Sequence, residues 1–85
     1  MSSSEAELNA RIRDEKRLVA LEYQSEAWAE GLAEGIDSEI LAMAALETAL
    51  CGLIDDCGEA TAAKLLEIVR LKLENGAFSG YQYLN

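Results

Sequence analysis

Four glutamate residues recur at four-residue intervals in the first half of the chain, at Glu22, Glu26, Glu30 and Glu34. On a helix this spacing places them along one face, about 6 Å apart, and we call this row the acidic ridge. Like charges so placed destabilise a helix by a few tenths of a kcal/mol per pair. No lysine or arginine is interleaved to offset that cost. The ridge therefore predicts a site for a basic protein groove, the alternative being a solvated outer face.

Other residues that could carry chemistry are sparse. The chain has no histidine, which removes the commonest general base and the commonest metal ligand. It also has no CxxC pair, glycine-rich phosphate loop or GxSxG nucleophile motif. Asp55, Asp56 and Glu59 bring carboxylates together, but without the alternating spacing of a calcium loop, and helix capping accounts for them more simply. We expect no catalytic residues, no metal site and no cofactor, and hence a protein that is not an enzyme.

The two cysteines, Cys51 and Cys57, lie six residues apart on one predicted helix. That places them about 240° apart around the helix axis, so they cannot form a disulfide with each other there. We interpret them as buried small hydrophobic residues in the reducing cytoplasm, the alternative being an intermolecular disulfide or redox role. The polar, charged N-terminus does not resemble a signal peptide, so a cytoplasmic location is expected.

Charge is distributed unevenly along the chain, whose formal net charge is −9. Residues 18–63 contain ten acidic side chains and no basic one, while residues 1–17 contain four of each. Nucleic acid and anionic membranes both require a basic face, so direct binding to either is not expected. A cationic protein surface suits this charge better.

The stretch from Ile40 to Ile54 is the most apolar in the chain, with Glu47 and Thr48 as its only clearly polar side chains. It is too short and too interrupted to span a bilayer, which needs about 20 apolar residues. On a helix, its main apolar stripe consists of Ala42, Leu46, Leu50, Leu53 and Cys57. We therefore predict a central core helix with Leu46 and Leu50 buried.

The first helix is predicted to run from a capping box at Ser4 and Glu7 to Gly31 or Gly35, about 45 Å. Its second half carries an apolar seam at 3, 4, 3, 4 spacing, formed by Leu18, Leu21, Ser25, Trp28 and Leu32. Its first half has only Leu8 and Ile12 as an apolar edge. Residues 1–17 are thus either a frayed arm or a piece of helix that needs a partner chain. We expect a homodimer with Leu8 and Ile12 at the interface, because shorter helices leave them uncovered.

Glycines and acidic residues predict where the later helices begin and end. Gly35 suits the position that closes the first helix. Asp37 or Ser38 is then the predicted N-cap of the second helix. Asp56 has capping-box spacing to Glu59, which predicts a third helix from there to Glu74, with Asn75 and Gly76 ending it; the alternative is one long helix kinked at Gly58. The tail, residues 76–85, is aromatic enough to pack over the other helices or onto a second subunit, or else to serve as a docking peptide.

Together these patterns predict an all-α fold in a single domain, residues 1–85: a small three-helix bundle with a long first helix, completed by homodimerisation. The predicted function is protein–protein binding that regulates or inhibits a basic partner, such as a nucleic-acid-handling enzyme or complex. Phage-type inhibitors and nucleic-acid mimics are the extreme of that class. The alternative is a self-associating structural or adaptor subunit whose acidity keeps it soluble. Salt-dependent partner capture distinguishes the first from the second.

Overall fold

The computed structural model describes residues 3–79 and contains three α-helices there, with no strand among them. Helix α1 spans Ser3–Ala33, α2 spans Ser38–Cys57 and α3 spans Glu59–Glu74. Their lengths, 31, 20 and 16 residues, correspond to about 46, 30 and 24 Å. The all-α prediction and the long first helix are confirmed. Residues 3–17 are the first half of α1.

Two glycines end helices in the way the sequence predicted. Gly35 has φ +84°, and its N–H donates to the Leu32 carbonyl while the N–H of Ile36 donates to Gly31. This pair of bonds is a Schellman motif, which satisfies carbonyls that α1 leaves unpaired at its end. Gly76, with φ +74°, closes α3 in the same way. Its N–H donates to the Leu73 carbonyl, and the N–H of Ala77 donates to the Lys72 carbonyl. The N-cap of α2 is Asp37, although its side chain makes no capping hydrogen bond.

The boundary between α2 and α3 differs from the prediction. Helix α2 continues through Asp55 and Asp56 to Cys57, and Gly58, with φ +87° and ψ 167°, is the only residue between the helices. Asp56 is therefore not the cap of α3. The prediction failed because a glycine at positive φ breaks the helix sharply at its own position, which requires no capping carboxylate. The two aspartates instead lie at the C-terminus of α2, where no basic side chain offsets them.

Helix α2 contacts both of the other helices, while α1 and α3 do not reach each other within the described residues. Helices α1 and α2 approach each other at Gly31, where the side chain of Leu41 occupies the space that a Cβ would take. Helix α3 folds back on α2, and Ala62 is the one described residue that is fully buried, at 3% exposure. The central position predicted for the second helix is confirmed by these contacts.

The side of α2 that lines the groove against α1 lies beside the predicted stripe, of which Ala42, Leu50 and Leu53 are half-buried. The residues on that side are mostly small: Leu41, Ala44, Ala45, Thr48 and Ala49. Leu46, at the centre of the predicted stripe, is 49% exposed, so the prediction that it is buried is wrong for the single chain. Leu50 is only half-buried. Small side chains let two helix backbones come close, whereas four large apolar side chains of α2 are exposed: Ile40, Met43, Leu46 and Ile54.

The molecule is extended for its length. Its radius of gyration is 15.6 Å, whereas a compact domain of 85 residues has about 12 Å. Its accessible surface is 7245 Å², against about 4,900 Å² for a compact monomer of 9.2 kDa. A single chain therefore leaves about 2,300 Å² more surface in water than a typical folded monomer.

Candidate protein-binding surfaces

The acidic ridge lies on the solvent side of α1. Glu22, Glu26 and Glu30 belong to the helix, and Glu34 follows its last residue in the closing turn. The N–H of Glu34 still donates to the carbonyl of Glu30, at 3.1 Å, so the helical spacing of the ridge extends to its end. All four side chains are exposed, and none forms an ion pair within residues 3–79. The ridge is thus an uncompensated row of negative charge.

The helix dipole makes this row less favourable still. Glu30 and Glu34 lie at the C-terminal end of α1, where the unpaired carbonyls already carry partial negative charge. The last turn of α1 contains no basic side chain. A cation supplied from outside the helix would therefore interact favourably with both the ridge and the helix end.

The apolar side of α1 faces α2 only in its second half. Leu21, Ser25 and Trp28 of the predicted seam are half-buried, whereas Leu18 and Leu32 are exposed. In the first half of the helix, Leu8 is 54% and Ile12 is 40% exposed. Neither α2 nor α3 covers this edge in the single chain.

A groove of about 520 Å³ runs between α1 and α2. Its large apolar lining residues are Trp28 and Leu41, and its polar ones are Gln24 and Thr48. The other four lining residues are alanines: Ala27, Ala44, Ala45 and Ala49. Sequence periodicity did not find this groove, because alanine contributes little to a hydrophobic stripe. The spacing of Ala27, Gly31 and Gly35 was its one signal, since it permits a close helix crossing.

The bases of α3 are partly engaged within the helix. Arg70 donates from Nη2 to Glu67 Oε2 and from Nη1 to Glu74 Oε2, each at 2.5 Å. The bond to Glu67 raises the pKa of the Arg70 guanidinium, desolvation lowers it, and the bond to Glu74 raises it again. Because arginine is protonated throughout the physiological range, these pairs keep their charge there.

The remaining chemistry-bearing residues do not form a site among residues 3–79. Cys51 and Cys57 are free and exposed, so the prediction that they are buried is wrong for the single chain. They lie on α2, which α1 and α3 cover only in part. No three carboxylate or cysteine side chains of the described chain come together as metal ligands would.

No helix within residues 3–79 combines the length and apolarity needed to cross a membrane. Tyr81, Tyr83 and Leu84 of the tail lie outside the described residues.

Comparison of the chain with protein-family models, with curated proteins and with solved structures gave no match.

Proposed function

We propose that this protein acts by binding other protein surfaces, and that the acidic ridge is the charged part of its binding face. The single observation that carries the proposal is the exposed, unpaired row of Glu22, Glu26, Glu30 and Glu34. Its complement is a cationic groove on a protein, of the kind that a nucleic-acid-handling enzyme or complex presents. Occupying such a groove would regulate or inhibit that partner, and the free cysteines suit a cytoplasmic setting.

Charge reversal tests this proposal. In the variant Glu26→Lys/Glu30→Lys, helicity should be retained or raised, because two lysines interrupt a row of like charges. Capture of partner proteins from native lysate should weaken by a few kcal/mol at low salt, with much of the loss in association rate. The matched control is Asp55→Lys/Asp56→Lys, which changes the net charge equally at exposed positions off the ridge. Capture that survives the ridge variant with unchanged salt dependence would reject the proposal.

The second candidate function is self-association as a structural or adaptor subunit. The surface excess of about 2,300 Å² per chain favours it, since permanent homodimers commonly bury 2,000–5,000 Å² in total. In this candidate a second copy completes the fold, with Leu8 and Ile12 at the interface. Both side chains are too exposed in the single chain to contribute fully to its core. The acidity would then only maintain solubility.

Sedimentation equilibrium separates the two candidates when it is combined with the lysate experiment. A homodimer whose assembly is insensitive to salt, together with no salt-dependent capture, supports the structural role. Salt-dependent capture supports the binding role whether or not the chain is dimeric. A monomer at high micromolar concentration rejects the homodimer.

A further inference from the structure

Helix α1 carries a second stripe at heptad spacing, on the side away from α2. Its residues are spaced 4, 3, 4, 3, 4 and are all exposed: Ile12, Lys16, Val19, Tyr23, Glu26 and Glu30. Val19 and Trp28 are nine residues apart, which places them about 180° apart on a helix. Trp28 lines the groove against α2, so the stripe containing Val19 faces solvent. Three of the six, Ile12, Val19 and Tyr23, are apolar or aromatic, as residues at the contact positions of paired helices are.

The stripe changes character along its length. Residues 11–17 contain four bases and two acids, whereas residues 18–63 contain no base. The stripe thus has a lysine near one end, Val19 and 70%-exposed Tyr23 in the middle, and two ridge glutamates at the other end. Because α1 is one continuous helix, its basic segment, residues 11–17, cannot fold back onto the acidic ridge of the same helix.

The stripe is complementary to itself in the reverse direction. If two copies of α1 run antiparallel with their midpoint at the height of residue 21, Val19 of each copy faces Tyr23 of the other. In that register Lys16 faces Glu26, and Ile12 faces Glu30 with Arg11 beside it. Each contact occurs twice, as a two-fold symmetric interface requires. A parallel pair would instead place Lys16 on Lys16 and Glu26 on Glu26, so charge favours the antiparallel arrangement.

We infer that the cationic surface bound by the acidic ridge is the basic segment of α1, residues 11–17, in a second copy of this chain. The inference rests on the proposed function, in which the ridge meets a cationic protein surface, but it assigns that surface to a second copy of this chain in place of a foreign groove. It brings the ridge and the Leu8–Ile12 edge into a single interface. The apolar contact of Val19 with Tyr23 holds the centre, and the ion pairs fix direction and register.

Two further observations favour a second copy as the occupant. Of the three bases of α3, Arg70 is already bonded to Glu67 and Glu74. The excess surface is also as large as a permanent homodimer needs. Pairing of α1 with α1 accounts for part of that area, and the outward apolar face of α2, on the other side of α1, would need a separate contact for the rest.

Charge exchange between residues 16 and 26 tests the inference. Lys16→Glu alone and Glu26→Lys alone should each raise the dimer dissociation constant about tenfold at low ionic strength, because each places like charges together twice. An equimolar mixture of the two variants should regain dimer formation, since both contacts are then of opposite charge. The double variant Lys16→Glu/Glu26→Lys should regain it as well. Residues 16 and 26 are about 15 Å apart within one helix, so such recovery must arise between chains.

Sedimentation equilibrium with circular dichroism on each variant gives the readout. Retained helicity with loss of dimer in the single variants, and recovery in both the mixture and the double variant, supports the inference. Dimer affinity that is unchanged in Lys16→Glu, or lost without recovery in the mixture, overturns it. Lysate capture on the same samples keeps the proposed function separate. If Glu26→Lys weakens capture while dimer affinity is unchanged, the ridge binds a foreign partner and only the inference fails.

Discussion

At Gly31, a hydrogen in place of a side chain allows α1 and α2 to approach. A Cβ at this position would lie 2.4 Å from Cδ2 and 2.9 Å from Cδ1 of Leu41. The side chain of Leu41 would have to move, and because Leu41 lines the groove, the shape of the groove would change. Gly52, in the middle of α2, has no atom of another residue near its Cβ position. A methyl group would therefore clash with a neighbouring side chain at Gly31 but not at Gly52.

Substitution of each glycine by alanine should separate packing from helix propensity. Gly31→Ala should lower the free energy of unfolding by about 1–2 kcal/mol, since overpacking exceeds the gain of about 1 kcal/mol in helix propensity. Gly52→Ala should raise it by up to about 1 kcal/mol. Urea denaturation at one protein concentration measures both. Equal stabilisation by the two substitutions would show that Leu41 does not hold the helix crossing. A loss of stability in Gly52→Ala would place another chain against that face of α2.

At the scale of single helices, the sequence predicted where the helices end better than it predicted which side chains pack between them. Gly35 and Gly76 were identified correctly because a positive φ is available mainly to glycine. The start of α3 was wrong because Asp56 and Gly58 were both candidates, and the backbone break at glycine prevailed. The predicted apolar stripe of α2 was correct only in part, since Ala42, Leu50 and Leu53 are half-buried but Leu46 and Cys57 are exposed. Hydrophobic periodicity gives weight to large residues such as Leu46, whereas the crossing uses Gly31 and alanines that periodicity ranks low.

The hairpin of α2 and α3 depends on Ala62, which is buried while its neighbour Ala63 is exposed. Ala62→Leu should force the two helices apart and lower the free energy of unfolding by about 1–3 kcal/mol. The control Ala63→Leu introduces the same side chain on the exposed side and should change it by no more than about 0.5 kcal/mol. Thermal unfolding followed by circular dichroism compares the two. If Ala62→Leu is as stable as the control, the contact of α3 with α2 is not a determinant of the fold.

At the scale of the whole molecule, surface and charge are both unbalanced. Large apolar side chains stay outside on all three helices, among them Ile40, Met43, Leu66 and Leu71. The sequence signalled this through the apolar stretch of residues 40–54, which needs cover on several sides. It did not specify the direction of a second chain, because helical periodicity describes one helix and not the register between two. The reversed order of charge along α1 supplies that missing direction in the antiparallel arrangement inferred above.

Stability that depends on a second copy must depend on protein concentration. The melting temperature should therefore rise as the concentration is increased, by mass action on the dimer. If a second copy also covers the outward face of α2, in a contact separate from the pairing of α1, Leu46→Asp should lower the melting temperature at low micromolar concentration, because a desolvated charge would enter that face. Raising the concentration should restore part of the loss. Glu47→Asp, one residue away and without loss of an apolar side chain, should melt as the unmodified protein does.

Because Leu46 is half-exposed in the single chain, this experiment distinguishes stability that comes from contacts within one chain from stability that comes from a second chain. With 49% of Leu46 exposed, an aspartate there remains largely hydrated in an isolated chain, and its effect on a monomer should be small. A large, concentration-dependent effect consequently requires a second chain over α2. A melting temperature that is independent of concentration, with Leu46→Asp and Glu47→Asp equally stable, would mean that the extended single chain is stable alone. In that case, the apolar face of α2 takes no part in assembly.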